Sequence, residues 1–285
     1  VYICRLYQNQ ITDQFNNMIA KSFTKAIKGI SLITAGVFSF SLSASAQLAT
    51  LTNDSAMFYI NTGGLVYVNG SVHNKLNGII VNLGTFDIDT NMVNDGQLGG
   101  NGSPLPESNG LYRVGGAWRN NNVFNAGTGK VLLDGPIQGI TGGVPSYFYD
   151  LELAGTDRKE IQFTDQFVTN RLILNAQELW TDQYTMHVEN TNTGAITRTT
   201  GFVSSLESGS LSRKTLNSAD YLFPVGSTQN FPRYRPVKIK PTTAFPNTFT
   251  VRIVNADPST DDPNDPSDYT KPVTQHDTTI CYVND

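Results

Sequence analysis

Five aspartates lie close together near the end of the sequence, in a stretch that is rich in proline. They are Asp257, Asp261, Asp262, Asp265 and Asp268. Several carboxylates on one loop supply the oxygen ligands that Ca²⁺ prefers. The spacing is not that of an EF-hand, and Pro263 and Pro266 restrict the backbone. We therefore favour a solvated linker, keep a calcium site that stiffens the loop as the candidate metal site, and expect no other cofactor.

The histidines offer little catalytic chemistry. His73, His187 and His276 are far apart in the sequence, and none belongs to a His-x-x-x-His or His-Glu-x-x-His pattern. Their spacing points neither to a zinc centre nor to a Ser-His-Asp triad. We therefore predict no catalytic site, and we ask next which elements the chain builds.

A short pattern of glycine, apolar residues and asparagine occurs four times between residues 64 and 139. The copies begin at Gly64, Gly84, Gly110 and Gly129, so the steps between them are 20, 26 and 19 residues. Apolar residues follow each glycine at the second, fourth and eighth positions: Val66, Val68 and Val72; Phe86, Ile88 and Met92; Tyr112, Val114 and Trp118; Val131, Leu133 and Ile137. Asparagine follows at the tenth position of the first three copies, as Asn74, Asn94 and Asn120.

The pattern predicts strands, because apolar residues at every second position are typical of a half-buried strand. A step near 20 residues fits one coil of a β-solenoid, and a single coil cannot bury its own apolar face. We therefore predict a right-handed parallel β-solenoid over residues 47–200, with β-hairpins in a sandwich or barrel as the alternative. The recurring asparagines form either a side-chain ladder between coils or turns that tolerate left-handed backbone.

The aromatic and acidic residues of the repeat allow a test of carbohydrate chemistry. Tyr112 and Trp118 occupy apolar positions, so we expect them in the core rather than on a sugar-stacking face. A glycosidase needs paired carboxylates. Asp87 and Asp89 align with Tyr67 and Asn69 in the preceding copy and with Arg113 and Gly115 in the following one, which argues against a continuous acidic face. Tyr147–Tyr149 form a further aromatic cluster.

The first 46 residues are predicted to be absent from the mature protein. A basic segment begins at Met18, an apolar run follows from Gly29 to Leu42, and Ser43–Ala46 ends in a small-x-small cleavage pattern, so residues 18–46 resemble a secretory signal peptide. Residues 1–17 precede Met18 and read as untranslated upstream sequence. The two segments remove four bases and one acid from totals of 20 and 24, which leaves a net charge of −7. We expect no membrane span after cleavage.

Composition supports an extracellular β-rich protein. Only 15% of the 285 residues are charged, whereas 39% are hydrophobic, including 15 Phe and 12 Tyr. This content can build a core, so disorder is not expected. The chain has no basic excess, so we expect no nucleic-acid partner. One cysteine, Cys281, remains after cleavage, so the mature chain cannot form an internal disulfide.

The pattern changes near residue 200, where strands become separated by proline-containing turns. We predict a β-sandwich-like domain over residues 201–285. The strand Thr279–Val283 has no evident partner, so we expect this domain to be truncated.

Several of these segments resemble the N-terminal regions of large secreted surface proteins of Bacteroidota. The resemblance lies in the repeats, in Gly209–Arg213, in Phe223-Pro-Val-Gly226 and in Tyr234-Arg-Pro-Val237. Such proteins commonly end in gliding-motility-associated or type IX secretion sorting domains. The resemblance implies a secreted or outer-surface location and a structural, adhesin-like role, and it carries over no catalytic residues.

We therefore predict a non-catalytic secreted surface protein whose partners are surface glycans or other cell-surface proteins. The alternative is an extracellular polysaccharide-active enzyme or a carbohydrate-binding module on a β-helix, because the fold alone does not decide among these functions.

Overall fold

The computed structural model describes residues 49–228 and 233–253. These residues belong to one compact unit, and apart from one short 3₁₀ turn their regular secondary structure is all β-strand. The chain winds into about eight stacked coils, and the strands of neighbouring coils pair in parallel. The predicted all-β parallel solenoid is confirmed.

The first four coils each contain three strands. Their bounds are β1 Ala49–Asn53, β2 Met57–Ile60 and β3 Leu65–Val68; β4 Gly70–Asn74, β5 Ile79–Asn82 and β6 Thr85–Ile88; β7 Met92–Asn94, β8 Gln97–Leu98 and β9 Leu111–Val114; β10 Trp118–Asn120, β11 Val123–Phe124 and β12 Lys130–Leu133. We call the sheet that contains β1 sheet 1, the sheet that contains β2 sheet 2 and the sheet that contains β3 sheet 3.

In the described part of the chain, the later coils have no strand in sheet 2, and most of their sheet-3 strands are longer than the four-residue strands of the first coils. Their bounds are β13 Gln138–Thr141 and β14 Tyr147–Leu153; β15 Lys159–Ile161 and β16 Gln166–Ile173; β17 Glu178–Trp180 and β18 Thr185–Val188; a 3₁₀ turn Thr193–Ala195 and β19 Ile196–Thr197; β20 Phe202–Ser204 and β21 Ser210–Thr215; β22 Tyr221–Phe223 and β23 Val225–Ser227; and β24 Arg233–Tyr234, β25 Val237–Ile239 and β26 Asn247–Val251.

The apolar positions of the repeat stack in register. Phe86 lies opposite Val66 on one side and Tyr112 on the other. Ile88 and Val114 are opposite each other in the neighbouring row and are fully buried. Each such side chain contributes about 1.5–3 kcal/mol through burial. The spacing of the copies therefore predicted which residues share a row.

The eighth position of the fourth copy is an exception. Trp118 lies opposite Ile140 and not opposite the predicted Ile137, whose side chain is 52% exposed. The corner between Leu133 and Ile140 is three residues longer than the corresponding corners of the earlier copies. Because strand pairing aligns backbone with backbone, the longer corner moves Ile137 onto the surface.

The core of the middle coils is aromatic. The ring of Trp118 lies 5.7 Å from that of Tyr112, 4.9 Å from that of Phe124 and 5.7 Å from that of Phe148. Both polar atoms are satisfied inside, because the indole nitrogen of Trp118 donates to Ser146 Oγ at 3.0 Å and the hydroxyl of Tyr112 bonds to Ser108. The expectation that Tyr112 and Trp118 fill the core is confirmed.

The repeated glycines permit close approach between coils. A Cβ atom on Gly84 would lie 2.2 Å from the carbonyl oxygen of Gly64, and one on Gly110 would lie 2.4 Å from that of Gly84. Neither residue has left-handed backbone. The repeated glycine is therefore needed for space and not for a positive φ.

The parallel stack continues beyond residue 200. Strand β20 pairs with β17, and β21 pairs with β18, both in parallel. Among the strands that the structure describes, antiparallel pairing occurs only where β24, β25 and β26 join β23, β22 and β21. The described part of the predicted β-sandwich-like domain over 201–285 thus completes the stack and adds antiparallel strands to its end. The segments predicted as upstream sequence and signal peptide, and the strand Thr279–Val283, lie outside the described residues.

Candidate functional site

The candidate calcium ligands Asp257, Asp261, Asp262, Asp265 and Asp268 lie outside the described residues. Within residues 49–228 and 233–253, no group of three or more His, Cys, Asp or Glu side chains is arranged to hold a metal ion.

The described histidines lie on different sheets. His73 Nε2 is 2.6 Å from Asp95 Oδ2 on sheet 1, and His187 Nε2 is 3.2 Å from Asp165 Oδ2 at sheet 3. The side chain of His73 is 34% exposed and is bonded to a residue of the next coil. Each histidine thus has a carboxylate partner of its own.

The carboxylates of the repeat are paired across coils on sheet 3. Arg113 lies between two of them, with Nε 2.5 Å from Asp134 Oδ2 and one terminal nitrogen 3.4 Å from Asp87 Oδ2. The hydroxyl of Tyr67 donates to Asp89 Oδ2 at 2.5 Å, which raises the pKa of the tyrosine. Asp87 and Asp89 are therefore bound to different partners and do not form an acid–base pair.

Further ion pairs continue this arrangement toward the later coils. Lys130 Nζ lies 2.8 Å from Glu152 Oε2, Arg171 lies 2.5 Å from Asp150 Oδ2, and Lys214 pairs with Glu189. We call these paired residues the ion-pair row, which consists of Asp87, Arg113, Lys130, Asp134, Asp150, Glu152, Arg171, Glu189 and Lys214. Burial acts to raise the pKa of Glu152, but hydrogen bonds from Lys130 and Asn175 outweigh it and lower the pKa. A general acid needs the opposite shift.

Lys159 is the one described amine with a strongly shifted pKa. Burial lowers its pKa to about 8. Its Nζ donates to the carbonyl oxygens of Gly135 at 2.7 Å, Pro136 at 2.8 Å and Thr156 at 3.3 Å. The side chain is fully buried, so the amine ties together two successive corners and does not reach a substrate.

A groove runs across the outer face of sheet 1 over four coils, with a volume of about 590 Å³. We call it the sheet-1 groove. The polar and aromatic side chains that line it belong to Asn91, Arg119, Asn121, Thr141, Gln162 and Phe163. It combines one aromatic ring, one cation and several amide or hydroxyl groups on a single surface.

Phe163 stands out in this groove. It follows Gln162 directly after β15, its side chain is 73% exposed, and its φ is +75°. The other non-glycine residues with positive φ among those described are polar: Ser55, Asp157, Asn175, Asp182 and Glu207. A bulky residue with left-handed backbone is strained. Because the ring of Phe163 is exposed, its burial contributes little stability to offset this strain.

Arg119 supplies the positive charge of the groove. It lies between Val93 and Thr141 on the adjacent strands. Its guanidinium makes no hydrogen bond or ion pair to the residues that the structure describes, although its charge contributes to lowering the pKa of Asp95. The arginine is thus available to an anionic ligand.

Sheet 3 carries an outward stack of rings. The ring of Phe167 lies 4.6 Å from that of Tyr147 and 4.4 Å from that of His187, and both contacts are nearly parallel. The three residues are spaced by 20 positions, which is one coil, and this spacing is the sequence signal that identifies the stack. Because each inner face is covered by a neighbour, the stack mainly joins coils.

A second groove of about 520 Å³ follows the glycine corner between sheets 2 and 3. Its floor is glycine backbone that is already used between coils, since Gly64 O accepts from Thr85 N and Gly84 O accepts from Leu111 N, both at 2.8 Å. Its charged side chains, Lys130 and Asp150, belong to the ion-pair row. This groove therefore offers few free polar groups.

Sequence reasoning missed both Phe163 and Arg119 as site residues. The signal for Arg119 is its place beside the inward Trp118 in the third copy, which turns its side chain outward. Phe163 lies in a turn outside the regular repeat, so no spacing rule indicated its exposure.

In the described part of the chain, no helix has the length and apolar character needed to cross a membrane. Comparisons with family models, with curated proteins and with solved structures found no match to this chain.

Proposed function

We propose that this chain is a secreted or outer-surface protein with a structural, adhesin-like role and no catalytic activity. The observation that carries the proposal is the ion-pair row, in which the charged side chains of sheet 3 bind one another from coil to coil. These groups stiffen the stack and are not free to act on a substrate.

The dimensions of the stack suit a stalk or a presenting surface. About eight coils, spaced at the usual strand separation of about 4.8 Å, give a stack roughly 40 Å long. Backbone ladders, ion pairs and side-chain amides all run along its axis. Such a stack needs neither metal nor disulfide to stay extended, which suits a protein outside the cell.

Two features of the sequence support the location. Residues 18–46 have the basic, apolar and small-x-small segments of a signal peptide. The chain also resembles the N-terminal regions of Bacteroidota surface proteins, for which partners would be surface glycans or other cell-surface proteins. A gliding or type IX secretion context belongs to the same proposal.

The alternative function, a polysaccharide-active enzyme, needs a carboxyl group held protonated or an accessible base. Hydrogen bonds from Lys75, Asn121 and Lys130 lower the pKa values of Asp54, Asp95 and Glu152, respectively. The amine of Lys159, whose pKa is lowered, donates to three backbone carbonyl oxygens and is not accessible. We therefore rank the enzyme below the adhesin-like protein.

The test uses the source organism with the gene deleted and then restored. We expect antibodies against the chain to label intact cells, and we expect deletion to reduce attachment to glycan-coated surfaces while leaving polysaccharide degradation unchanged. Wild-type complementation should restore attachment, whereas Val114→Asp, which disrupts the core, should not. Labelling only after permeabilisation, or sugar release by the purified chain, would overturn the proposal.

A further inference from the structure

We infer that the sheet-1 groove binds an acidic glycan, with Phe163 stacking on a sugar ring and Arg119 binding the carboxylate of a uronic acid. The inference rests on the proposed adhesin-like function and assigns its ligand class and its site. The argument has three steps, which concern the ring, the charge and the spacing of the polar groups.

The exposed ring of Phe163 has no role inside the fold that explains its backbone. Its side chain is 73% exposed, and its φ of +75° is a conformation that glycine or asparagine adopts at lower cost. Strain of this kind clusters at binding sites, because function retains a residue that folding alone disfavours. An open aromatic face is suited to the C–H groups on one side of a pyranose ring.

The charge in the groove selects an anion. The carboxylate that interacts electrostatically with Arg119, that of Asp95, already accepts hydrogen bonds from Asn121 Nδ2 and His73 Nε2, each at 2.6 Å. The guanidinium therefore keeps its fork of donors, which matches a carboxylate in a bidentate pair.

Polar groups repeat along the groove at the spacing of the coils. Asn91 Nδ2, Thr141 Oγ1 and Gln162 Oε1 make no hydrogen bond to other described residues. The other polar atom of each amide side chain is bonded, because Asn91 Oδ1 accepts from Ala117 N and Gln162 Nε2 donates to Glu160 Oε2. Neighbouring coils are about 4.8 Å apart. This separation is comparable to the advance per ring in an extended sugar chain, so successive coils can each meet one hydroxyl-rich ring. An acidic peptide would use the arginine but would leave most of these groups without partners.

The experiment is calorimetric titration of the purified full chain with uronic-acid oligosaccharides. The probes are hexamers of galacturonate and of mannuronate, cellohexaose as the neutral glycan, and poly-glutamate as the acidic peptide. We expect at least one acidic hexamer to bind at least tenfold more tightly than cellohexaose and poly-glutamate, with affinity that falls as salt is raised.

Two variants locate the site. Phe163→Asn, which suits the backbone and keeps the fold, should weaken binding of the acidic hexamer at least tenfold. Arg119→Gln should remove the preference for the acidic over the neutral hexamer. The matched controls are Phe245→Ala, at a phenylalanine that is 70% exposed elsewhere, and Arg113→Gln, in the ion-pair row. Both should bind as the wild type does.

Three results would overturn the inference: no binding of either acidic hexamer, unchanged binding by Phe163→Asn, or poly-glutamate binding as tight as that of the glycans, which would identify an acidic-peptide surface. These results leave the proposed function standing if intact cells are still labelled and still attach. Labelling only after permeabilisation would instead remove the proposed function, whatever the calorimetry gives.

Discussion

The side-chain nitrogen of Asn74 donates to the side-chain oxygen of Asn94 at 2.9 Å, and the two residues lie opposite each other on neighbouring coils. Asn53 donates to Asn74 at 2.9 Å, and Asn94 donates to Asn120 at 2.8 Å. Of the two interpretations of the recurring asparagines, the ladder is therefore correct. It ends at Asn120, since a Cβ at Gly142 in the next coil would lie 1.8 Å from the Asn120 carbonyl oxygen.

The ladder should carry measurable stability. Asn94→Ala removes bonds to Asn74, to Asn120 and to the carbonyl oxygen of Val123, and leaves buried groups without partners. We expect the free energy of unfolding to fall by about 3 kcal/mol in urea denaturation. Asn69→Ala, at an exposed asparagine outside the ladder, should change it by less than about 0.5 kcal/mol. Equal effects of the two variants would contradict a structural role for the ladder.

The apolar rows should respond according to depth. Val114 is fully buried in the middle of its row, whereas Val68 in the first coil is half-buried. We expect Val114→Asp to cost more than about 4 kcal/mol and to abolish the cooperative melt, because a carboxylate would be buried without a partner. Val68→Asp should leave a folded protein with a lower melting temperature. A cooperative melt of Val114→Asp close to that of the wild type would refute the shared core.

The strained turn should be easy to stabilise. Phe163→Asn replaces a bulky residue at φ +75° with one that tolerates left-handed backbone. We expect the free energy of unfolding to rise by about 1 kcal/mol, because the exposed ring contributes little burial. Phe245→Ala serves as the control for loss of an exposed ring. A clear destabilisation by Phe163→Asn would show that the ring packs in the fold and that the backbone is not strained.

Acid should weaken the stack through its paired carboxylates. The pKa of Glu152 lies below its ordinary value of 4.5 in the folded chain, so the unfolded chain takes up protons first as the pH falls. The stabilisation is complete above about pH 5 and is lost as the pH falls through the lowered pKa. Glu152→Gln should be less stable than the wild type at pH 7 and should lose less stability between pH 5 and pH 3. Parallel melting curves for the two proteins across this range would contradict the assignment.

Lys159 should be a structural residue. Lys159→Met keeps most of the buried volume but leaves the carbonyl oxygens of Gly135, Pro136 and Thr156 without their donor. We expect a loss of about 2 kcal/mol in the free energy of unfolding, with binding of acidic glycans unchanged. Lys130→Met, at a partly exposed lysine of the ion-pair row, should cost less than about 1 kcal/mol.

The repeat alone determined the class of fold and most of the inner rows. Apolar residues at every second position set which side chains of Val66–Val68 point inward, and alignment of the copies on their glycines placed Phe86 opposite both Val66 and Tyr112. These relations are local or periodic, so they can be read from spacing. The ladder of asparagines followed from the same period, although Asn53, one coil earlier, was not recognised.

Tertiary structure decided everything that depends on the corners. The corner before β13 is three residues longer than its counterparts, so Ile140 and not Ile137 lies opposite Trp118 in the inner row. The parallel stack continued past residue 200. A turn after β15 brought Phe163 to the groove that contains Arg119. The lengths of corners and the geometry of turns do not repeat with the coils. Backbone pairing keeps the strands aligned, so the extra residues of a longer corner lie on the surface. The inner rows therefore depend on the sequence period, whereas the surface on which a ligand would bind depends on how the completed coils are aligned.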